Sequence, residues 1–434
     1  MGDWQMLDSY FKLTESGTTV RTELLAGLTT FLTMAYIIFV NPMILKDAGI
    51  DHGAAFVATC LAAAIGTAIM GLYANYPVAL APGMGLNAYF TYGVVLGMGH
   101  SWQVALGAVF ISGVLFIILS LLPIREAIIN AIPKSQKLAI GAGIGLFLGL
   151  IGLKNGGLVV DHPATLVALG KIAAPAVLMA IAGFIAIAVL DHRRVPGAIM
   201  IAILVVSALG IALGLSPFNG IVSAPPSLAP TFLQMDIKGA FSLGLVAIVF
   251  AFLFVDLFDT AGTLVAVSQR ANLVDADGKL KRLPKALMAD AVATVAGAGL
   301  GTSTTTSYIE SAAGIRVGGR TGLTATVVAL LFLLSIFFAP LATSIPAYAT
   351  APALVFVACV MASSLAQIDW EDVTEYAPAM VTAVMMPFTF SIATGIGLGF
   401  ITYVLVKLFS GRATQINPMM AVLAVLFVIK FAVL

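Results

Sequence analysis

Four polar side chains stand in segments whose neighbours are apolar. Asp256 and Asp259 fall in FLFVDLFDTAGTL, Glu310 in GTSTTTSYIESAAGIRVGGR and Asn87 in YPVALAPGMGLNAYF. An ionisable group in the middle of a bilayer costs on the order of 3 kcal/mol or more and usually marks a substrate pathway or a proton site. A spacing of three puts Asp256 and Asp259 on roughly one helical face. Two carboxyls facing one cavity suit proton coupling, because burial and mutual repulsion favour a bound proton. A protonated carboxyl donates a hydrogen bond, whereas an ionised one only accepts. A heterocycle with ring N–H donors and a carbonyl acceptor reports on that difference. The Asn87 amide both donates and accepts, as a purine edge requires; an asparagine bracing a broken backbone is the plainer alternative, and the two roles are compatible. For the acids the plainer alternative is helix capping or pairing with Arg316 or Arg320, arginines that fall near the inner surface. Asp290, close to the loop end of its segment, reads as structural.

These side chains need elements that can hold them inside a membrane. The run Thr302–Ser307 is a poor helix and a fair short strand, since β-branched residues resist helical χ1 angles. It leads into Glu310 and then into small residues. A second break falls at Pro82-Gly83, just before Asn87. Hydrocarbon does not tolerate irregular backbone against lipid, so both breaks must face protein or a water-filled cavity. Exposed amides at the starts of half-helices, near Ile309, Glu310 and Ser311, are then further candidates for substrate contact.

The chain has 434 residues, 60% of them hydrophobic and only 9% charged, against about 25% charged in soluble domains. Segments of the length a helix needs to span a bilayer, about 20 residues, recur nearly end to end. They read near 22–45, 54–73, 76–98, 102–122, 137–153, 174–190 and 197–215, then near 243–267, 285–300, 302–318, 322–344, 348–365, 374–390 and 392–410. The apolar stretch Pro418–Leu434 reads either as an extra span or as an amphipathic surface segment. The four histidines fall at loops, which argues against a histidine metal site or an intramembrane histidine relay. Cys60 and Cys359 fall within spans and read as packing residues. No metal or cofactor is expected. Gly83–Ala88 matches G-x-G-x-x-A, but within a membrane span the dinucleotide reading fails for want of a βαβ unit. Gly141, Gly145 and Gly149 read as a small-residue packing face. Without H-E-x-x-H, a G-x-S-x-G elbow or an acid–histidine pair, an enzyme is not expected, and no nucleic-acid surface is evident.

Seven spans in each half require the second copy to enter the membrane the opposite way, an inverted repeat. The division reads as 1–215, a proline-rich connector at 216–242, 243–411, and a terminal segment at 412–434. Matching hinges, Ala131-Ile132-Pro133 and Ser344-Ile345-Pro346, support it. With the N-terminus inside, the inner loops hold sixteen Lys and Arg, among them Arg125 and Lys279, and the outer loops hold Lys46, Lys154, Lys171 and Lys238. That bias fits a cytoplasmic N-terminus. The longest inner loop, Gln269–Pro284, is charged.

GLTTFLTMAYIIFVNP (Gly27–Pro42), LAPGMGLNAYF (Leu80–Phe90), DLFDTAGTL (Asp256–Leu264) and YIESAAGIRVGGRTGLTA (Tyr308–Ala325) together resemble the AzgA-like purine permeases, a branch of the nucleobase–cation (ascorbate) symporters. The resemblance covers nearly the whole chain. It implies an all-α polytopic membrane protein with the uracil-permease-like fold: fourteen spans in two inverted repeats, with short strands in broken spans three and ten. Spans 1–4 and 8–11 would form a core domain and spans 5–7 and 12–14 a gate. Such carriers often work as dimers, so a homodimer is a candidate assembly. The resemblance also implies that Glu310 and a span-eight acid grip the base, with Asn87 assisting. Aligning DTAGTL with the wider family's pattern picks Asp259, while the AzgA-like branch also implicates Asp256.

The expectation is therefore a proton-coupled importer of purine nucleobases in the cytoplasmic (inner) membrane, favouring hypoxanthine and guanine. Its substrate-binding candidates are Glu310, Asp259, Asp256, Asn87, Ser311 and Ile309, and its proton-coupling candidates are Asp259 and Glu310. An adenine-selective or broad nucleobase carrier is the near alternative. A channel or passive pore is the alternative of another class; channels need a continuous polar path, often with rings of ligands, where this chain has a few clustered acids. Three carboxylates in one cavity also argue against an anionic substrate.

Overall fold

The computed structural model describes residues 2–122, 132–241, 246–271, 273 and 280–433. Arg125, Lys279, Ala131 of the first hinge, and residues 272 and 274–279 of the charged inner loop lie outside the described residues.

A short helix, α1 (Gly2–Phe11), precedes α2 (Val20–Met34) and α3 (Ile37–Asp47). The first expected span, 22–45, is thus two helices interrupted at Ala35–Tyr36. Thr19 caps α2, its hydroxyl accepting from the Thr22 amide at 3.2 Å, and Asp51 caps α4 (His52–Ile69) through the Ala54 amide at 2.8 Å. A π-helical turn, Met70–Ala74, ends that segment. The third segment begins extended as β1 (Leu80–Pro82), turns into α5 (Met84–Ala88) and continues π-helically through Tyr89–Gly97. Then come α6 (Trp102–Leu121) and α7 (Lys134–Asn155). A hairpin, β2 (Val159–His162) with β3 (Leu166–Leu169), lies in a stretch expected to be plain loop. The turn is held by the His162 ring, whose Nδ1 accepts from the Ala164 and Thr165 amides at 3.3 and 3.2 Å. α8 (Pro175–His192) and α9 (Ala198–Ala212) complete the first half.

The second half runs through α10 (Val246–Arg270) and α11 (Leu283–Leu300) to a segment that repeats the third: β4 (Thr305–Ser307), then α12 (Ser311–Val317). α13 (Gly322–Ser335), α14 (Ala339–Ser344), α15 (Ala347–Ala362), α16 (Val373–Thr389), α17 (Ile392–Phe409) and α18 (Pro418–Val433) follow. Pro133 and Pro346 are the N-caps of α7 and α15, at the two matching hinge positions. Among the described residues, nine helical segments are long and apolar enough to cross a membrane by length and composition. Large apolar side chains such as Leu178, Ile185, Leu330, Leu334 and Val425 point outward, as a chain solvated by lipid requires.

Packing falls into two groups. α2, α4, α6, α10, α11, α12 and α13 pack among themselves, with α11 resting on both α4 and α6. α7 lies between α15 and α16, and α8 and α9 pack on each other and on α15. Small residues make the α7–α15 approach close: a Cβ on Gly145 would stand 2.6 Å from the Met361 Cβ, and one on Gly149 3.0 Å from the Ala358 Cβ, while one on Gly141 would meet nothing within 4 Å. The expected glycine face is therefore a contact at two of its three positions. α18 packs along α17, with Phe427 edge-on to Phe400 at 6.1 Å.

The two breaks meet. β1 pairs antiparallel with β4 in the register Leu80↔Ser307, Ala81↔Thr306, Pro82↔Thr305. The two strands are more than two hundred residues apart in sequence, yet each supplies the other's missing backbone partners. The Gly83 amide donates to the Thr304 carbonyl and the Tyr308 amide to the Ala79 carbonyl, both at 2.9 Å. Thr67 Oγ1 both donates to the Leu80 carbonyl (2.9 Å) and accepts from its amide (2.8 Å). Irregular backbone is tolerable at this depth because protein satisfies it. Gly83 is needed for the approach, since a Cβ there would lie 2.6 Å from Thr306 Cγ2.

Candidate functional site

Beyond β4 the chain turns through Tyr308, Ile309 and Glu310 into α12. Ile309 is 46% exposed and Glu310 half-buried, although the strand before them and the helix start after them are buried. Tyr36, at the α2–α3 interruption, donates its hydroxyl to Glu310 Oε1 at 2.6 Å. One carboxylate oxygen is thereby held. Thr33 Oγ1 reaches the Glu310 carbonyl at 3.5 Å. Tyr308 is turned inward and donates to the Pro82 carbonyl at 2.6 Å, tying the turn to the opposite strand.

Asp259 faces the same region from α10. It is exposed, although its helical neighbours Leu257 and Thr260 are fully buried. Its helix packs against β4 and α12, the elements on either side of Glu310. The structure therefore puts two accessible acids, Glu310 and Asp259, on neighbouring segments. Asp256 is placed otherwise. It is one helical turn away, 1% exposed, and its Oδ2 accepts from Thr294 of α11 at 3.0 Å. The three-residue spacing leaves an angular offset large enough to leave one acid exposed and send the other into the α10–α11 interface.

Asn87, on α5, is fully buried. Its Oδ1 accepts from Ser303, and its Nδ2 has no protein partner among the described residues. Ser311 is also fully buried, and its Oγ accepts from the Ala79 amide at 3.0 Å, a further tie between the two broken segments. Threonine side chains close the rear of the strand pair. Thr260 Oγ1 lies 2.7 Å from Thr306 Oγ1, and Asn41 donates to Thr302 and Thr59 at 2.9 and 2.7 Å.

No basic side chain offsets these acids. Among the described residues, none of Asp256, Asp259, Asp290 and Glu310 has a Lys or Arg nitrogen within 4.0 Å. Arg320 spends its guanidinium on the Ile315 and Gly319 carbonyls at 2.7 and 2.8 Å, and Arg316 is exposed. Pairing with Arg316 or Arg320 is thus not what these carboxyls do. Two accessible carboxylate acceptors without a cation suit a neutral heterocycle carrying N–H donors.

Sequence reasoning passes over one residue here, Tyr36, and sets another, Asp290, too near a helix end. Tyr36 lay inside a quoted motif, but a tyrosine in an apolar run carries no signal until its partner is known. Asp290 was read as near a loop end; it is fully buried well inside α11. Its place eight residues into an apolar, alanine-rich helix was the available clue.

Comparison with known proteins gives concordant results. The Xan_ur_permease family model, described as a permease family, matches residues 21–398. The chain is 51% identical to the adenine permease AdeP of Escherichia coli K12, over 98% of this chain and 96% of that one. It is 48% identical to the guanine/hypoxanthine permease PbuG of Bacillus subtilis 168, over 98% and 99%. Among solved structures, the transmembrane domain of the cyanobacterial bicarbonate transporter BicA aligns with TM-score 0.64 at 16% identity, covering 88% of this chain and 97% of that one. SLC26A9 aligns with TM-score 0.67 at 11% identity, covering 94% and 69%. At such identities these two structures speak for the fold alone.

Proposed function

We propose that this chain, which belongs to the Xan_ur_permease family, is a proton-coupled symporter that imports purine nucleobases across the cytoplasmic membrane. It is a multi-pass membrane transporter, not an enzyme. The observation that carries the substrate reading is that Glu310 and Asp259, on neighbouring segments, are both accessible beside a strand pair whose backbone is paired within the protein. Carboxylate acceptors match the ring N–H groups of a purine, and the Asn87 amide adds a donor. Ile309 gives the base an apolar edge to lie against. Asp259 and Glu310, both without a cation partner, are the groups on which a co-transported proton would act.

In this reading α2–α6 and α10–α13 form the substrate-holding core and α7–α9 and α15–α17 the gate, and the core moves against the gate to alternate access. The strand pair makes the two half-helices a single rigid unit, so substrate, Glu310 and Asp259 travel together. The N-terminus is cytoplasmic by the distribution of Lys and Arg.

Hypoxanthine and guanine are the favoured substrates, because both present an N1–H donor that a carboxylate accepts directly. Adenine is the second reading, supported by AdeP being at least as similar to this chain as PbuG. An anion is disfavoured despite the fold shared with BicA, since the two accessible acids have no cation beside them.

Labelled hypoxanthine uptake, competed with a panel of bases, tests the assignment. Saturable uptake competed by guanine supports it; linear, uncompeted flux supports a pore. Glu310→Ala abolishes uptake while the protein remains in the membrane. Normal transport by that variant would remove Glu310 from the mechanism. Collapse of the proton gradient lowers concentrative uptake, and accumulation that follows sodium instead overturns the coupling.

A further inference from the structure

Asp256 and Asp290 lie on adjacent helices, and each is bonded to a threonine on the other's helix. Thr294 of α11 donates to Asp256 Oδ2 at 3.0 Å, and Thr260 of α10 donates to Asp290 Oδ1 at 2.7 Å. Asp256 and Thr260 are four residues apart on α10, as are Asp290 and Thr294 on α11, so the four side chains form two crossed rungs between the helices. Ser307 of β4 adds a donor to Asp290 Oδ1 at 3.2 Å. One oxygen of each carboxyl is thus in contact with a hydroxyl, the Thr294 proton being shared with the Thr305 carbonyl at 3.0 Å. The other oxygens, Asp256 Oδ1 and Asp290 Oδ2, are buried and have no donor among the described residues. The two rungs lie one helical turn apart, which sets the two carboxyls beside each other between α10 and α11.

Two ionised carboxylates only accept, so they cannot bond to one another, and both would be buried without a counter-charge. The surroundings supply none. α6 and α5 carry no titratable side chain, β4 offers only hydroxyls, and α4 brings Cys60, with His52 at its far end. Tyr73 belongs to the π-turn, Arg316 of α12 is exposed, and Lys407 of α17 is paired with Glu375 at 2.7 Å. The lysines of α7 and Lys285 of α11 stand at helix ends. Asp259, the next acid on α10, adds negative charge. One proton between Asp256 Oδ1 and Asp290 Oδ2 gives each orphaned oxygen a partner and halves the buried charge.

We propose that Asp256 and Asp290 hold a single proton between them, a proton-binding site set behind the strand pair and separate from the proposed substrate site. The two are wired together. Thr260 Oγ1 contacts both Asp290 and Thr306, and Ser307 joins Asp290 to the strand that runs through Tyr308 and Ile309 into Glu310. Removing the proton leaves two facing anions, which part and pull on β4 through these hydroxyls. A role in proton-driven transport rests on the function proposed above; the shared proton does not.

Infrared spectroscopy of the protein in lipid tests the pair directly. At neutral pH the wild type shows a carboxylic-acid C=O band that shifts in D2O, and Asp290→Asn and Asp256→Asn each lose that component, because the new amide donates to the remaining carboxylate. An identical band in the wild type and both variants overturns the proposal. Asp290→Asn keeps the interhelical bond and retains purine exchange at equal pH, but loses accumulation driven by a pH gradient. Gradient-driven accumulation at the wild-type level by this variant also counts against it. If the wild type exchanges no purine, the substrate reading fails, and the infrared comparison still decides the pair.

Discussion

Replacing Tyr36 with phenylalanine isolates one hydrogen bond to Glu310. The ring is 1% exposed and packed, so Phe fills the same space and only the hydroxyl is lost. That hydroxyl donates to Glu310 Oε1 at 2.6 Å, a short bond to a carboxylate, and hydrogen bonds to charged groups are worth about 1.5–3 kcal/mol. Glu310 is half-buried rather than sealed, so water can take over part of the bond and the lower end of that range applies. About 1.4 kcal/mol corresponds to tenfold in affinity. Without its anchor the Glu310 side chain must be ordered by the substrate itself, and that cost appears in binding. Tyr36→Phe is therefore expected to raise the apparent KM for purine uptake about tenfold, with a smaller change in maximal rate and unchanged protein in the membrane. Initial-rate uptake in vesicles or reconstituted liposomes measures it. An unchanged KM in a folded Tyr36→Phe protein would show that Glu310 needs no positioning, and the substrate role argued for Glu310 would lose its support.

Two further outcomes concern stability. Glu23 is fully buried on α2 and caps α13, accepting from the Arg320, Thr321 and Thr324 amides at 2.8, 3.3 and 3.1 Å and from the Thr324 hydroxyl at 2.6 Å. Glu23→Ala strands those donors and is expected to cost about 3 kcal/mol, read as a lower melting temperature in detergent; Glu23→Gln loses less, and equal melting of all three proteins would contradict the capping role. Asp372 is held down to about 2 by the Thr374 hydroxyl and amide, with Arg412 beside it, from an ordinary value of 3.8. A depressed carboxyl contributes its stability above the unfolded value and loses it as pH falls through the folded one. The wild type therefore loses stability between about pH 4 and pH 2, and Asp372→Asn shows a shallower acid dependence in a thermal-shift titration; parallel curves would exclude Asp372 as the source.

Sequence alone determined that the chain lives in a bilayer, because apolar runs of spanning length with so few charges have no stable alternative. It also placed both breaks: proline with glycine, and a run of β-branched residues, oppose helix wherever the chain folds. Even the type of chemistry was legible, since a carboxylate is conspicuous among leucines and alanines. What the sequence could not say is which acids share a space. Asp256 and Asp259 are three residues apart, yet one closes against α11 and the other is exposed. Local spacing fixes angles only to within the rotation of the helix, and that rotation is set by packing against α6 and α11. Tyr36 and Asp290 acquired partners 274 residues and one helix away, respectively. Only the antiparallel meeting of β1 with β4 brought the two broken segments together, because unsatisfied backbone in a medium without water must find its partners in protein, however far along the chain they lie.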